Sequence, residues 1–261
     1  MSAAEAPPRG ARALRRRYTV ADVDVLTAGE ARRFIGHTRD PQADLTLAWE
    51  LLYRLEPELY DRLARAEPIH PAVIDWLPIG LDRIVEVGAG TGRLTLQLLG
   101  RAREIVAVEP AAPLRERLGQ RLAGQEQGGR VEVVDGFFDE LPLPDDWADL
   151  VVACSAWTPE DGHGGAAGLV EMERVCRPGG MVAIVWPNNL TWLAARGYRY
   201  LSFGEDDMVV EFPSPEDAIE LTEVFYPDAA AEVRRAGLRR VPFATLGVNP
   251  PRDVAFKVMA G

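Results

Sequence analysis

One segment, residues 84–94, constrains the fold more than any other part of this 261-residue chain. It reads Ile-Val-Glu-Val-Gly-Ala-Gly-Thr-Gly-Arg-Leu, an apolar run followed by alternating glycines and then by the first apolar position of a helical pattern. Glycine adopts backbone conformations that other residues avoid and lets a ligand approach the main chain, while a helix begins with N–H groups that lack intrahelical partners. The segment therefore predicts a buried strand, a ligand-binding turn and a helix.

The rest of the chain continues this alternation of strands and helices. Further short apolar runs lie at residues 105–108, 131–134, 150–153 and 181–186, and helical patterns such as Leu114, Leu118 and Leu122 separate them. This order predicts an α/β fold with a doubly wound, mostly parallel sheet. Two later strand-like runs, at 238–246 and 253–258, are expected to form an antiparallel pair at one edge of that sheet.

Changes in composition predict three parts of the chain. Residues 1–20 contain a run of arginines after Pro7 and Pro8 and are expected to be a disordered basic tail. Residues 21–80 show helical patterns broken by prolines and are expected to form a helical cap. Residues 81–261 are expected to form the main domain, with an aromatic-rich insertion at about 190–236.

Charge and composition narrow the classes of partner. The formal net charge of -11 opposes a surface that follows nucleic-acid phosphates, so no nucleic-acid partner is expected. No apolar run reaches the roughly 18 residues of a membrane helix, and the first residues lack a signal-peptide core, so we expect no membrane partner and a cytoplasmic location. The two cysteines fit a core better than a metal site, and no metal is predicted. The expected partner is a small molecule; an oligomer is possible, but nothing indicates one.

Two acidic residues next to the glycine segment indicate which ligand fits. Glu109 ends the second predicted strand, 17 residues after Gly92, where a carboxylate can accept hydrogen bonds from two ribose hydroxyls. Glu86 precedes the first glycine by two positions and would repel a pyrophosphate, but it suits a ligand that carries an ammonium and a sulfonium group. The spacing also lacks the last glycine of the G-x-G-x-x-G dinucleotide fingerprint. A nucleoside with a cationic sulfur is favoured over NAD.

Over residues 82–187 the chain resembles the class I S-adenosylmethionine-dependent methyltransferases, whose first motif is Glu/Asp-x-Gly-x-Gly-x-Gly. The turn Arg177-Pro178-Gly179-Gly180 is similar to the one that precedes the family's fifth strand. The resemblance implies a Rossmann-like seven-stranded sheet in the order 3-2-1-4-5-7-6 with strand 7 antiparallel. It also implies S-adenosyl-L-methionine as the cofactor and methyl transfer as the activity.

The resemblance also implies which residues bind the cofactor. Pro110 would pack on the adenine, Asp135 would accept a hydrogen bond from its amino group, and the residues after Asp135 would line the ring. The complete predicted set is Glu86, Gly88, Ala89, Gly90, Gly92, Glu109, Pro110, Asp135, Gly136, Phe137, Cys154 and Ser155.

The catalytic residue is not determined by any motif, because a sulfonium leaving group needs alignment and exclusion of water more than it needs an acid or base. His163, in a glycine-rich loop after the fourth strand, is the best single candidate for a base, and a solvated loop histidine is the alternative. Aromatic residues near the strand ends favour a small, apolar or aromatic acceptor, methylated on oxygen, nitrogen or carbon. Two other functions stay open: binding of S-adenosylmethionine without methylation, as a scaffold, a sensor or a catalyst of a non-methylating rearrangement, and an NAD-dependent oxidoreductase.

Overall fold

The computed structural model of the protein describes residues 11–126, 128–160, 163–204 and 207–261. The chain divides into two compact units. The larger unit comprises Ile69–Glu205 and Pro250–Gly261, and the smaller unit comprises Met1–Pro68 and Asp206–Asn249.

A seven-stranded sheet forms the centre of the larger unit. The described strands are β1 Leu81–Val87, β2 Ala102–Val108, β3 Val131–Val134, β4 Ala148–Cys154, β5 Cys176–Val185, β6 Arg199–Ser202, β7 Val209–Glu211, β8 Arg240–Pro242 and β9 Asp253–Val258. The order in the large sheet is β3-β2-β1-β4-β5-β9-β6, in which β9 runs antiparallel to both of its neighbours. Because β9 is the seventh strand of this sheet along the chain, the predicted fold class and strand order are confirmed.

Helices cover both faces of this sheet. The described α-helices are α1 Ala11–Arg15, α2 Ala28–Phe34, α3 Leu45–Leu55, α4 Pro57–Ala66, α5 Pro71–Trp76, α6 Thr95–Leu98, α7 Ala112–Ala123, α8 Gly165–Val175, α9 Leu190–Ala194, α10 Pro215–Phe225, α11 Ala230–Ala236 and α12 Phe243–Leu246. Short 3-10 helices lie at Val20–Val25 and Gly128–Arg130. In the described parts of the chain, none of the helices combines the length and apolar character that crossing a membrane requires.

Alternation along β1 decides which side chains face which layer. Val85 packs in the same cluster as Met172 of α8, while Ile84 packs with Val73 and Leu98 on the opposite face. Side chains two residues apart in a strand share a face, so Glu86 follows Ile84 on the side of α5 and α6. The sheet therefore carries a buried carboxylate towards the end of β1.

The smaller unit is mostly helical. Trp49 of α3 stacks on Phe225 of α10 with ring centroids 5.7 Å apart. The Arg54 side chain is 5% exposed and forms ion pairs with Glu30 at 2.7 Å and with Glu50 at 2.6 Å. The strands β7 and β8 form a separate antiparallel pair in this unit.

The expectation of a disordered tail at residues 1–20 is wrong for residues 11–20. Residues 1–10 lie outside the described residues. Residues 11–15 form α1, and the side chains of Leu14 and Tyr18 are buried. The Tyr18 hydroxyl donates a hydrogen bond to Glu56 at 2.7 Å, and Arg17 pairs with the same carboxylate. The buried side chains of Leu14 and Tyr18 hold this segment in place. The arginines around them dominate the composition, so the sequence suggests a solvated tail instead.

The predicted terminal strand pair is also wrong. Residues 238–246 contribute β8, which pairs with β7, and α12, while β9 pairs instead with β6 from inside the predicted insertion. A short apolar run does not distinguish a strand from a helix by periodicity. The compact units also differ from the parts that the sequence predicts. The smaller unit includes the chain up to residue 68, whereas the helical cap is expected to extend to residue 80, and its second segment is 206–249, whereas the insertion is expected at about 190–236. The helix α5 belongs to the larger unit because it packs on the large sheet through Val73.

Candidate ligand site at the carboxyl ends of the strands

The turn after β1 bends through its glycines. Gly88, Gly90 and Gly92 have φ angles of 72°, 57° and 92°, in the left-handed region that favours glycine. The N–H groups of Gly88 and Ala89 donate to the carbonyl of Val108 at 2.9 and 3.0 Å, which fixes the turn to the end of β2. The sequence prediction of a strand, a glycine turn and a helix is confirmed here.

Packing alone requires glycine at two of these positions. A Cβ atom on Gly88 would lie 2.5 Å from the Cβ of Ala156, and a Cβ on Gly92 would lie 2.5 Å from the Cδ1 of Leu118. Both distances are too short for carbon atoms. The glycines therefore explain how the turn folds, and other features must decide whether it binds a ligand.

Buried side-chain oxygens in the same segment point to a ligand. Glu86 Oε2 and Thr91 Oγ1 are buried, and among the described residues neither atom has a hydrogen-bond partner. A buried polar group without a partner costs about 1–3 kcal/mol, and folded proteins contain few of them. Two such atoms in one short segment are groups to which a bound ligand could form hydrogen bonds.

Burial also changes the protonation of Glu86. Loss of solvation raises the pKa of this carboxyl from 4.5 to about 8, and the nearby negative charge of Glu109 adds to the increase. Thr95 and the Arg93 guanidinium act in the opposite direction without cancelling it. A cationic ligand beside Glu86 would lower the pKa of the carboxyl, so the ionised side chain favours positive charge.

Glu109 connects the glycine turn to the beginning of α7. Its Oε2 accepts a hydrogen bond from the N–H of Gly90 at 2.8 Å, and its Oε1 accepts one from the N–H of Ala111 at 2.8 Å. Each carboxylate oxygen can accept a second hydrogen bond. The two hydrogen bonds from Gly90 and Ala111 fix the carboxylate between the glycine turn and the beginning of α7.

Arg115 is a residue of this region that the sequence analysis missed. One of its guanidinium nitrogens, Nη1, donates to the carbonyls of Glu109 and Pro110 at 2.7 and 2.8 Å and to Asp135 Oδ1 at 2.9 Å. A side chain on a helix points back towards the N-terminus of that helix, which brings Arg115 of α7 to the ends of β2 and β3. Asp135 is exposed to solvent, and Arg115 holds one of its carboxylate oxygens in place.

The segment after β3 closes one side of the turn. A Cβ on Gly136 would lie 2.7 Å from Val108 Cγ1 and 2.8 Å from Pro142 Cδ, so packing requires this glycine too. Phe137 is half-buried, and the ring of the next residue, Phe138, lies 3.3 Å from where a Cβ on Gly88 would stand. The sequence analysis named Phe137 and missed Phe138.

The ends of β4 and β5 contribute two strained residues. Ser155 and Trp186 have φ angles of 56° and 58°, which cost a residue other than glycine about 1–3 kcal/mol and are frequent at functional sites. Arg93 reaches both strand ends: its Nη2 lies 3.7 Å from Cys154 Sγ, and its Cζ lies 5.5 Å from the centre of the Trp186 ring. Arg93 directly follows the last glycine of the turn, a position that could have drawn attention to it.

His163 belongs to a loop that reaches this region through Phe138. Its backbone N–H donates to the carbonyl of Glu160 at 2.9 Å, and its side chain is half-buried. A Cβ on the next residue, Gly164, would lie 3.3 Å from Phe138 Cγ. The role of the His163 imidazole as a base stays a prediction.

The predicted cofactor residues all follow or end the central strands. They are Glu86, Gly88, Ala89, Gly90 and Gly92 at β1, Glu109 and Pro110 after β2, Asp135, Gly136 and Phe137 after β3, and Cys154 and Ser155 at β4. Carboxyl ends of parallel strands meet at one edge of a sheet, where open α/β folds bind ligands. Their cofactor contacts stay predictions. Among the described residues, no group of three or more His, Cys, Asp or Glu side chains is placed to hold a metal ion.

Comparisons with known proteins agree with this geometry. Residues 85–184 match a family model described as a methyltransferase domain. A protein named uncharacterized methyltransferase from Mycobacterium tuberculosis is 34% identical over 138 residues, which cover 51% of this chain and 53% of that protein. The uncharacterized methyltransferase YrrT of Bacillus subtilis is 36% identical over 74 residues, or 28% of this chain and 32% of that protein.

The chain thus matches about half the length of the Mycobacterium relative. Among solved structures, a chain from the complex that contains the Haloferax volcanii Trm112 methyltransferase activator matches with a TM-score of 0.52 and 15% identity. The match covers 80% of this chain and 96% of that one, and it shows a shared fold.

Proposed function

We propose that this chain transfers a methyl group from S-adenosylmethionine to a small apolar or aromatic acceptor, as the match of residues 85–184 to a family model described as a methyltransferase domain supports. The observation that carries the proposal is the group of buried, unpartnered oxygens beside the glycine turn, with Glu86 among them. The ammonium and the sulfonium of S-adenosylmethionine would favour the ionised form of Glu86, whereas the pyrophosphate of a dinucleotide would favour its protonated form.

The residues of the site fit the parts of this cofactor. Glu86 would accept from the ammonium group, and Glu109, which the Gly90 and Ala111 N–H groups hold in place, would accept from the ribose hydroxyls. Asp135 would accept from the adenine amino group through the oxygen that Arg115 does not hold. Pro110, Gly136 and Phe137 would line the adenine, and Cys154 and Ser155 would contact the cofactor at the end of β4.

The chemistry then depends chiefly on placement. Bound S-adenosylmethionine would supply a methyl group activated by the sulfonium, and in-line attack by a nucleophile on the methyl carbon would break its bond to sulfur and release S-adenosylhomocysteine. The chain has to orient that nucleophile and exclude water, which accounts for large rate enhancements without a dedicated acid or base. Trp186, which is half-buried after β5, would line the side of the pocket that takes an aromatic acceptor. For a hydroxyl acceptor, His163 would take the proton.

Calorimetry with S-adenosylmethionine, S-adenosylhomocysteine and NAD tests the cofactor. We expect the two adenosyl ligands to bind and NAD not to bind. NAD binding in the absence of S-adenosylmethionine binding would overturn the proposal and favour an oxidoreductase.

Release of S-adenosylhomocysteine with a panel of phenols, amines and activated carbon acids tests the transfer. The His163→Ala variant should lose activity on phenols and retain it on nucleophiles that carry no proton to remove. Cofactor binding without release on any acceptor would contradict methyl transfer and favour a protein that only binds S-adenosylmethionine.

A further inference from the structure

His70 lies at the carboxyl edge of the large sheet, and none of the contacts assigned above uses its side chain. The main-chain N–H of His70 donates to the carbonyl of Pro251 at 2.9 Å, which fixes the residue next to the segment that leads into β9. Because β9 runs antiparallel to β5, its beginning lies at the edge where β5 ends. His70 is therefore held at the same edge as the candidate ligand site.

Main-chain hydrogen bonds bring two aromatic residues close to His70. The N–H groups of Phe203 and Trp186 donate to the carbonyls of Arg252 and Asp253 at 2.8 and 3.0 Å. With His70 on the preceding carbonyl, three consecutive residues thus hold three separate segments of the chain. Three residues span at most about 7 Å between their outer Cα atoms, so His70, Phe203 and Trp186 are neighbours.

The rings of Phe203 and Trp186 lie on the face of the sheet that α5 covers. Both pack against the hydrophobic cluster that contains Ile84 and Val73. The ring of Trp76 supports Phe203, with ring centroids 6.0 Å apart. Phe203 and Trp186 are only half-buried, so part of each side chain stays accessible. The edge therefore presents aromatic surface beside His70.

The orientation and the tautomer of the His70 imidazole are fixed. Its Nδ1 accepts a hydrogen bond from the N–H of Ala72 at 3.1 Å, at the beginning of α5. A ring nitrogen that accepts carries no proton, so the proton of the neutral imidazole is on Nε2. The ring also packs against Gly204, where a Cβ would lie 2.8 Å from Nε2. Within the ranges that the structure describes, the Nε2–H donor has no hydrogen-bond partner.

We propose that His70, Phe203 and Trp186 form the subsite for the methyl acceptor, and that this subsite selects an aromatic molecule with a carbonyl oxygen. The inference rests on the proposed function and names the class of its acceptor. The two rings would contact the apolar part of the acceptor, and the Nε2–H of His70 would donate to the carbonyl oxygen. Because neutral Nε2 has no lone pair to take a proton, His70 would orient the acceptor rather than act as a base.

The test compares acetophenone with α-methylstyrene, a molecule of nearly the same shape in which a methylene group replaces the carbonyl oxygen. Both are titrated into protein saturated with S-adenosylhomocysteine, and binding is followed in the NMR spectra of the two ligands. The wild type should bind acetophenone about 2- to 10-fold more tightly, the range of one neutral hydrogen bond. His70→Asn should bind both ligands with similar affinity, because it loses affinity only for the ligand that has the oxygen.

The choice of asparagine separates recognition from folding. Asparagine keeps an oxygen that can accept from the Ala72 N–H at the beginning of α5, but its side chain ends before the position of Nε2. His70→Asn should therefore bind S-adenosylhomocysteine like the wild type. His37→Asn changes an exposed histidine and should retain the wild-type preference for acetophenone. Phe203→Leu should weaken both ligands by a similar factor, and unchanged affinities would remove Phe203 from the subsite.

The inference is wrong if the wild type loaded with S-adenosylhomocysteine does not bind acetophenone or does not prefer it. It is also wrong if His70→Asn keeps the preference, or if it weakens both ligands equally, since the last result indicates a structural role. If the wild type does not bind S-adenosylhomocysteine, the proposed function itself fails. These outcomes are distinct, because failure of the inference alone leaves the binding of S-adenosylhomocysteine intact.

Discussion

Protonation of Glu86 makes the stability of the ligand-free protein depend on pH in an unusual direction. Glu86 is 1% exposed, and burial raises the pKa of its carboxyl to about 8. Between pH 4.5 and pH 8 the folded state keeps this proton, while the unfolded state releases it. The free energy of unfolding therefore falls as pH rises through this window, which is opposite to the behaviour of a carboxylate in an ion pair.

The size of the effect follows from the linkage relation. One group that is protonated only in the folded state lowers the free energy of unfolding by about 1.36 kcal/mol per pH unit. From pH 5.5 to pH 7.5 the wild type should lose about 2–3 kcal/mol through Glu86 alone. Glu86→Gln does not titrate and has nearly the same shape, so the variant should lose none of this contribution.

Urea unfolding at pH 5.5, 6.5 and 7.5, followed by tryptophan fluorescence without ligand, measures the difference. The gap between the Glu86→Gln variant and the wild type should widen in favour of the variant as pH rises. Glu132→Gln, on the exposed side of β3, serves as the matched control and should follow the wild type. Parallel pH profiles for Glu86→Gln and the wild type would refute the reasoning, since they would show that Glu86 is already ionised in the folded protein.

Two further substitutions probe the turn itself. Glu109→Ala should weaken S-adenosylhomocysteine binding in calorimetry by about 1–3 kcal/mol, because it removes an acceptor of charge-assisted hydrogen bonds as well as the anchor of the Gly90 N–H. Gly92→Ala should lower the free energy of unfolding in urea by about 1–3 kcal/mol, because its φ of 92° strains an alanine and the new Cβ would press on Leu118.

Each of these two substitutions has its own control. The control for Gly92→Ala is Gly119→Ala, because Gly119 lies on α7 next to Leu118 and has open space around its Cβ position. This variant should raise the free energy of unfolding by about 0.5–1 kcal/mol. Equal stability of the Gly92 and Gly119 variants would contradict the packing argument. Glu116→Ala, on the same helix, should leave ligand affinity unchanged. Unchanged affinity in Glu109→Ala would remove that residue from the site.

The sequence was sufficient for the fold where the pattern of apolar residues is locally unambiguous. Parallel strands buried on both faces read as short apolar runs, and the turn after β1 needs glycine for steric reasons that a sequence displays directly. The sequence was insufficient where contacts between distant segments decide which strands pair. The strand β6 is only four residues long and is positioned by its pairing with β9, and residues 240–242 pair with β7 rather than with β9.

The same distinction applies to the candidate site. Glu86 and Glu109 could be named because a strand end fixes where a side chain lies. Arg115 reaches Asp135 from a neighbouring helix, and Phe138 reaches Gly88 from the loop after β3, so neither contact has a spacing that reveals it. Long side chains that cross between elements have to be seen in the structure.

Thr91 distinguishes a turn that merely folds from one that binds a ligand. Its hydroxyl is buried with no hydrogen-bond partner, so Thr91→Val should raise the free energy of unfolding of the ligand-free protein by about 1–2 kcal/mol. Thr222 provides the matched control, since its buried hydroxyl donates to the carbonyl of Ala218 at 2.7 Å, and Thr222→Val should lower the same free energy by about 1 kcal/mol. Changes of opposite sign in the free energies of unfolding of the two variants would show that the unpartnered Thr91 hydroxyl destabilises the ligand-free protein. Weaker S-adenosylhomocysteine binding by Thr91→Val would then show that the hydroxyl contributes to ligand binding. Equal losses in both variants would instead show that the Thr91 hydroxyl already has a partner within the protein, and the strongest physical argument for a ligand at this turn would then rest on Glu86 alone.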